Sequence, residues 1–169
     1  MQISFKEGVL FKSLAIQTII FICIFQFTSF IRETSMLSTD SQVTSSQSLP
    51  TLHGKEISIS ADGKPLVVYF FAPWCQVCHA SIGNLQAIYE KNQNIDVIAI
   101  AMDFTSQEEV EKFTRQHKLT FPIALGDHLT KADFKVQGYP SYYVIDEQNL
   151  IASKSMGYST ELGIYLRSL

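Results

Sequence analysis

The stretch that most restricts what this chain can become is Leu66-Val67-Val68-Tyr69-Phe70-Phe71, followed at once by Ala72-Pro73-Trp74-Cys75-Gln76-Val77-Cys78-His79. Six apolar residues without polar alternation, led in by Gly63 and Pro65, predict a strand buried on both faces in the middle of a sheet. Beyond Pro73 the period changes. Val77, Ile82, Leu85, Ile88 and Tyr89 fall at spacings of three, four and seven, the stripe of an amphipathic helix from Cys75 to about Asn92. Cys75 therefore opens a helix, where unpaired N–H groups and the positive end of the dipole favour the thiolate, the nucleophilic form of cysteine. Cys78, one turn further, is expected to be more buried and within reach of the first sulfur. The pair suits thiol-disulfide exchange: Cys75 attacks or is attacked, a mixed disulfide forms, and Cys78 resolves it.

Strand, Ala72-Pro73-Trp74-Cys75-Gln76-Val77-Cys78 and helix resemble the thioredoxin superfamily, and within it the membrane-anchored, extracytoplasmic TlpA branch. The resemblance runs from about Leu49 to the C-terminus. Tyr69 to Cys75, Thr120-Phe121-Pro122 and Gly157 to Gly163 are similar to ScsD-like disulfide oxidoreductases associated with copper tolerance. It implies a thioredoxin-like α/β fold, a central mixed sheet with helices on both faces. The substrates it implies are protein thiols and disulfides, and the cofactor is the cysteine pair itself, with no metal. At Gly138-Tyr139-Pro140 the resemblance implies a cis proline lying against the cysteines, with the backbone of Tyr139 free to pair with an extended substrate segment. Trp74, Tyr139 and Pro140 thus join Cys75 and Cys78 as site residues. Two positions depart from the family. A buried acid often stands six residues before the first cysteine, where this chain has Tyr69, and some relatives carry Glu three residues after the second, where it has Ser81. Deprotonation of Cys78 then has no neighbouring carboxylate.

Other readings of the same cysteines exist. Half of a zinc site is one, but no second Cys pair or His-x-His cluster completes four ligands. Two soft thiolates suit Cu(I) binding or delivery. Cys75-x-x-Cys78-His79 also spells the c-type haem attachment signature, with Met102, His117, His128 and Met156 available as a second axial ligand; that reading leaves the preceding strand and Trp74 unexplained. His79, His117 and His128 are expected to be solvated surface residues.

Ahead of this, Ser13 to Ile31 holds 19 residues without a charge. As a helix it would be about 28 Å long, close to the hydrocarbon thickness of a bilayer. Lys6 and Lys12 precede it against Glu7, whereas Arg32 and Glu33 cancel after it, so the positive-inside rule leaves the N-terminus in the cytoplasm. The expected organisation is a stub and single-pass anchor over 1–33, retained in preference to the alternative of a cleaved signal peptide, a Ser/Thr-rich flexible tether over 34–48 and one domain over 49–169. In a bacterium that domain faces the periplasmic or extracytoplasmic side of the cytoplasmic membrane. There the resemblance implies a membrane electron donor or acceptor, and service to copper tolerance or cytochrome c maturation. Cys23, inside the anchor, is expected to be passive. With a net charge of −3 and no basic stripe, nucleic acid is an unsuitable partner.

The remaining elements alternate. An edge hairpin is expected over 49–60 with a turn near Asp62-Gly63. A buried strand follows at Asp96 to Met102, then a helix opened by a Ser106-x-x-Glu109 capping box and running to about His117. A short strand is expected over 121–125 and a short helix from Leu129 to Phe134. A strand starts at Pro140, turns at Asp146 to Asn149 and returns through 150–153, and Ser159 caps a C-terminal helix through Arg167.

Overall fold

The computed structural model describes residues 3–43 and 48–169, at 3–13, 25 and 29–32 the backbone only. Ile3–Thr34 is one 32-residue helix, α1, and forms a unit of its own; the second unit is Ser35–Leu169. Leu14, Ile16, Ile19, Ile20, Phe21 and Ile22 on α1 are all more than half exposed. Among the described residues no helix is long and apolar enough to cross a membrane. The expected span over 13–31 falls in part on side chains outside the described residues.

The second unit is built on five strands. Leu66–Phe71 (β3), Asp96–Ala101 (β4) and Ile123–Leu125 (β5) run parallel, and Ser141–Ile145 (β6) and Ile151–Met156 (β7) complete the sheet in antiparallel sense, giving the order β5-β4-β3-β6-β7. β3 lies centrally, as its unbroken apolar run requires, and all six of its residues are buried. Its side chains alternate between the two layers of core. Val67, Tyr69 and Phe71 face the helices Gln76–Lys91 (α2), Gln107–Gln116 (α3) and Glu161–Arg167 (α5), through Ile82, Leu85, Ile88, Val110, Phe113 and Ile164. Leu66, Val68 and Phe70 face the other layer, with Phe134 and Val136 behind the short helix His128–Asp133 (α4).

That second layer is closed by chain expected to be a tether. Met36 and Val43 are buried in it. The strap over 36–43 is pinned along β7 by Asp40 N–H to Ile151 O and Ile151 N–H to Ser41 O. The Tyr143 hydroxyl accepts from Leu37 N at 3.1 Å and donates to Phe134 O at 2.6 Å, and Lys154 Nζ donates to Leu37 O at 2.8 Å. The compact unit thus begins near Ser35 rather than at Leu49, because three apolar residues in a polar segment suffice to dock it. Residues 44–47 of the expected tether lie outside the described residues.

The hairpin also differs. Ser48–Pro50 (β1) pairs antiparallel with Glu56–Ser58 (β2), and the turn between them uses Gly54 at φ 73, whose N–H donates to Thr51 O. Gly63, at φ 69, turns the chain toward β3 instead. The hairpin leans on β5 through a Thr51–Ala124 bridge and Leu52 N–H to Ile123 O, which covers that sheet edge. Two caps move as well. Glu109 accepts from Thr105 N–H and Ser106 makes no side-chain cap bond, so the expected capping box is absent. α5 is capped by Thr160 rather than Ser159; α4 carries a capping box of Asp127 and Thr130.

Candidate active site

The parallel strands β3 and β4 both end at one rim, and the chain leaving β3 makes the tight step Ala72-Pro73-Trp74 before α2. Cys75 N–H donates to Ala72 O at 3.0 Å, turning the backbone so that Cys75 becomes the N-cap of α2. Its sulfur accepts from Cys78 N at 3.1 Å. One of the orphan amides of the first helical turn is therefore aimed at this sulfur, the arrangement that stabilises negative charge there on reduction. Cys75 and Cys78 are joined in a disulfide with Cα atoms 5.2 Å apart. Cys75 is 6% exposed and Cys78 fully buried, so the outer sulfur is the one that a large partner can approach.

Pro140 lies beside them. The Tyr139–Pro140 peptide is cis, and Tyr139 O is 3.5 Å from Cys75 Sγ. Pro140 precedes β6, which is an interior strand between β3 and β7. The structure thus brings together all five residues singled out from the sequence. Trp74 is exposed and meets the Tyr139 ring edge to face at 5.9 Å.

The helical stripe was only half legible. Cys78, Ser81, Ile82, Leu85, Gln86 and Ile88 form the buried face, while Val77 and Tyr89, expected within it, point outward. Val77 belongs to the exposed surface next to the site because the phase of α2 is set by burying Cys78.

Below the disulfide, the two departures from the family meet each other. Tyr69 Oη and Ser81 Oγ are 2.6 Å apart, both buried. Burial pushes the Tyr69 phenol well above its ordinary range, offset only in part by the Ser81 bond. The pair is neutral, hydrogen-bonded and unable to act as a base near neutral pH.

His79 is not the solvated residue expected. It is half-buried and packed at a tilt against Phe113 with ring centres 4.6 Å apart; Nε2 contacts Pro73 O at 2.9 Å and Nδ1 contacts His117 Nε2 at 2.7 Å. With both ring nitrogens engaged and Cys78 fully buried, the haem-attachment signature does not fit: neither an axial imidazole nor a second thioether sulfur is presented. His117 is half-buried with it, whereas His128 is exposed. Among the described residues no group of three or more His, Cys, Asp or Glu is placed to hold a metal ion.

Asp103 and Lys131 belong to the rim and were not singled out from the sequence. Asp103 follows β4, accepting from Tyr139 Oη at 2.9 Å and pairing with Lys131; Trp74 Nε1 donates to Asp103 O at 2.9 Å. Burial alone would raise the Asp103 carboxyl, but the bonds from Lys131 and Tyr139 and the ammonium charge outweigh it and hold it below the usual carboxylate range. Their position just beyond the carboxyl ends of parallel strands was the available signal, since sites in open α/β sheets gather there.

Residues 42–154 match the AhpC/TSA family. Thioredoxin-like protein YneN of Bacillus subtilis is 33% identical over 119 residues, 68% of this chain and 69% of its own length. Thiol-disulfide oxidoreductase ResA of Bacillus cereus is 30% identical over 114 residues, 65% of each chain. The crystal structure of StoA from Bacillus subtilis superposes with a TM-score of 0.67 at 22% identity, over 76% of this chain and all of that one, a likeness of fold.

Proposed function

From the premise that this chain belongs to the AhpC/TSA family of thioredoxin-like proteins, we propose that it is a thiol-disulfide oxidoreductase acting on proteins through Cys75 and Cys78. The observation that carries this is a disulfide at a helix N-terminus, its outer sulfur 3.5 Å from Tyr139 O beside cis Pro140. In the reducing direction the Cys75 thiolate attacks one sulfur of a substrate disulfide, forms an S–S bond to it and expels the other sulfur as a thiolate. Cys78 then attacks Cys75 Sγ, closing the internal disulfide and releasing the second substrate thiol; two electrons have passed to the substrate. Among the described residues no carboxylate partners Tyr69 or Ser81 to take the Cys78 proton, so it goes through water to the departing substrate thiolate. The reverse sequence oxidises a dithiol. Tyr139 offers its backbone to an extended substrate segment, and Trp74 and Pro140 line the approach.

The reading extends to α1 as a single-pass anchor holding the domain on the extracytoplasmic side of a bacterial membrane. The uncharged run over 13–31 and the exposed apolar side chains of α1 support it. A membrane electron donor or acceptor would then reset the pair. Cytochrome c maturation or copper tolerance are the services that the TlpA-like sequence suggests.

The test is insulin disulfide reduction by the full chain in mild detergent, with Cys75→Ser as control. Turnover that vanishes in Cys75→Ser supports the reading, and equal rates contradict it. The potential of the couple gives the direction: about −270 mV marks a reductase and about −120 mV an oxidant.

A further inference from the structure

We propose that Asp103 is a positioning residue for substrate capture, holding Trp74 and Tyr139 as two fixed aromatic jaws beside Cys75; the proposal rests on the oxidoreductase reading above. Asp103 has φ 46, in the left-handed region, which aspartate adopts more readily than most side chains. From that turn it reaches three separate segments. Its carbonyl oxygen takes the indole N–H of Trp74 at 2.9 Å, from the loop before α2. Its carboxylate takes the Tyr139 hydroxyl at 2.9 Å, from the segment before β6, and Lys131 Nζ, from α4. The two rings then stand at 80° to one another, and Lys131 Nζ lies 5.5 Å over the Tyr139 ring.

The Tyr139 ring also packs against the core, but Trp74 is 61% exposed, so tethering its indole serves no burial. An exposed indole left free to choose its rotamer would be ordered anew each time a protein bound Cys75. Ordering it beforehand removes that entropy loss from the binding step. Lys131 neutralises Asp103, so the jaws present aromatic faces without net charge. Such a slot suits an extended segment with apolar or aromatic side chains next to its reacting sulfur. The bracket acts on capture rather than on sulfur chemistry, since Asp103 touches Trp74, Tyr139 and Lys131 and not the sulfurs.

The experiment uses the full chain in mild detergent with insulin as probe, and Trp74, the single tryptophan, as reporter. Asp103→Gly removes the carboxylate without straining the left-handed backbone, and Tyr139→Phe keeps the ring but removes the hydroxyl. Each is expected to raise KM about fivefold with kcat within about twofold. Trp74 keeps its bond to the Asp103 carbonyl in both but loses the tethered Tyr139 ring at its edge, so its emission anisotropy falls, and the double variant raises KM no further than the stronger single one. Asp103→Asn, which keeps an acceptor for Tyr139, recovers part of the loss. Additive KM effects, a fall in kcat at constant KM, or an unchanged anisotropy would overturn the proposal. Absence of Cys75-dependent turnover in the unmutated chain would instead refute the oxidoreductase reading, and the anisotropy would still decide whether Asp103 holds the jaws.

Discussion

A carbonyl oxygen can only accept a hydrogen bond, so the contact with Pro73 O fixes a proton on Nε2 of His79. When both rings are neutral, His79 Nδ1 therefore accepts from His117 Nε2, and the pair ties the loop before Cys75 to α3. A single added proton can be shared across this bond; a second places two cations in contact. Burial, and then the charge of His79, hold the His117 pKa below its ordinary 6.5. Folded His117 thus binds its proton less readily than the unfolded chain does. Its contribution to stability is complete above pH 6.5 and is lost as the pH falls below that value. Thermal midpoints of the full chain and of His117→Gln measured from pH 7.5 to 5 should converge toward the acid end; parallel curves would show that the pair does not titrate with folding.

At the scale of elements, strand period was the reliable signal. β3 and β4 were legible because burial on both faces leaves no polar residue in either run beyond Asp96 at the start of β4, and α2 because a three-four spacing cannot be satisfied by a strand. The phase of α2 was not legible, since Val77 is as apolar as Ile82 and only the tertiary place of Cys78 decides which faces inward. Nor was the strap: Met36, Leu37 and Val43 are too few among serines and threonines to announce a docked segment, and the partner that orders them, Tyr143, lies 106 residues away from Leu37. Of the site, Cys75 and Cys78 could be found from local pattern and Pro140 from the family resemblance, whereas Asp103 and Lys131 gain meaning only when the ends of β4, α4 and the Tyr139 segment converge. Close packing at the end of β5 gives a direct check. A Cβ on Gly126 would meet Met102 Sδ, Ile100 Cγ2 at 2.7 Å and Ala101 O at 3.3 Å. The thioether can move, but the branched Ile100 side chain has little freedom, so Gly126→Ala should cost about 1–3 kcal/mol. Urea unfolding should show a lower midpoint at unchanged slope; an unchanged midpoint would mean that this corner is looser than the packing implies.

The chain divides into the α1 unit and the Ser35–Leu169 unit, and under the function proposed above the first attaches and the second exchanges electrons. The full chain expressed in bacteria should remain with the membranes through alkaline carbonate washing, and deletion of 1–34 should release it; extraction of the full chain by carbonate alone would remove the anchor from the account. Exchange itself depends on one covalent event, the joining of Cys75 to a foreign sulfur before Cys78 resolves it. Cys78→Ser arrests the sequence at that point. Mass spectrometry of this variant of the full chain, reduced and then mixed with native disulfide-bonded insulin, is therefore the most direct measurement. The expected result is a dithiothreitol-sensitive adduct mapped to Cys75 and absent in Cys75→Ser. An adduct confined to Cys23, or none, would contradict it.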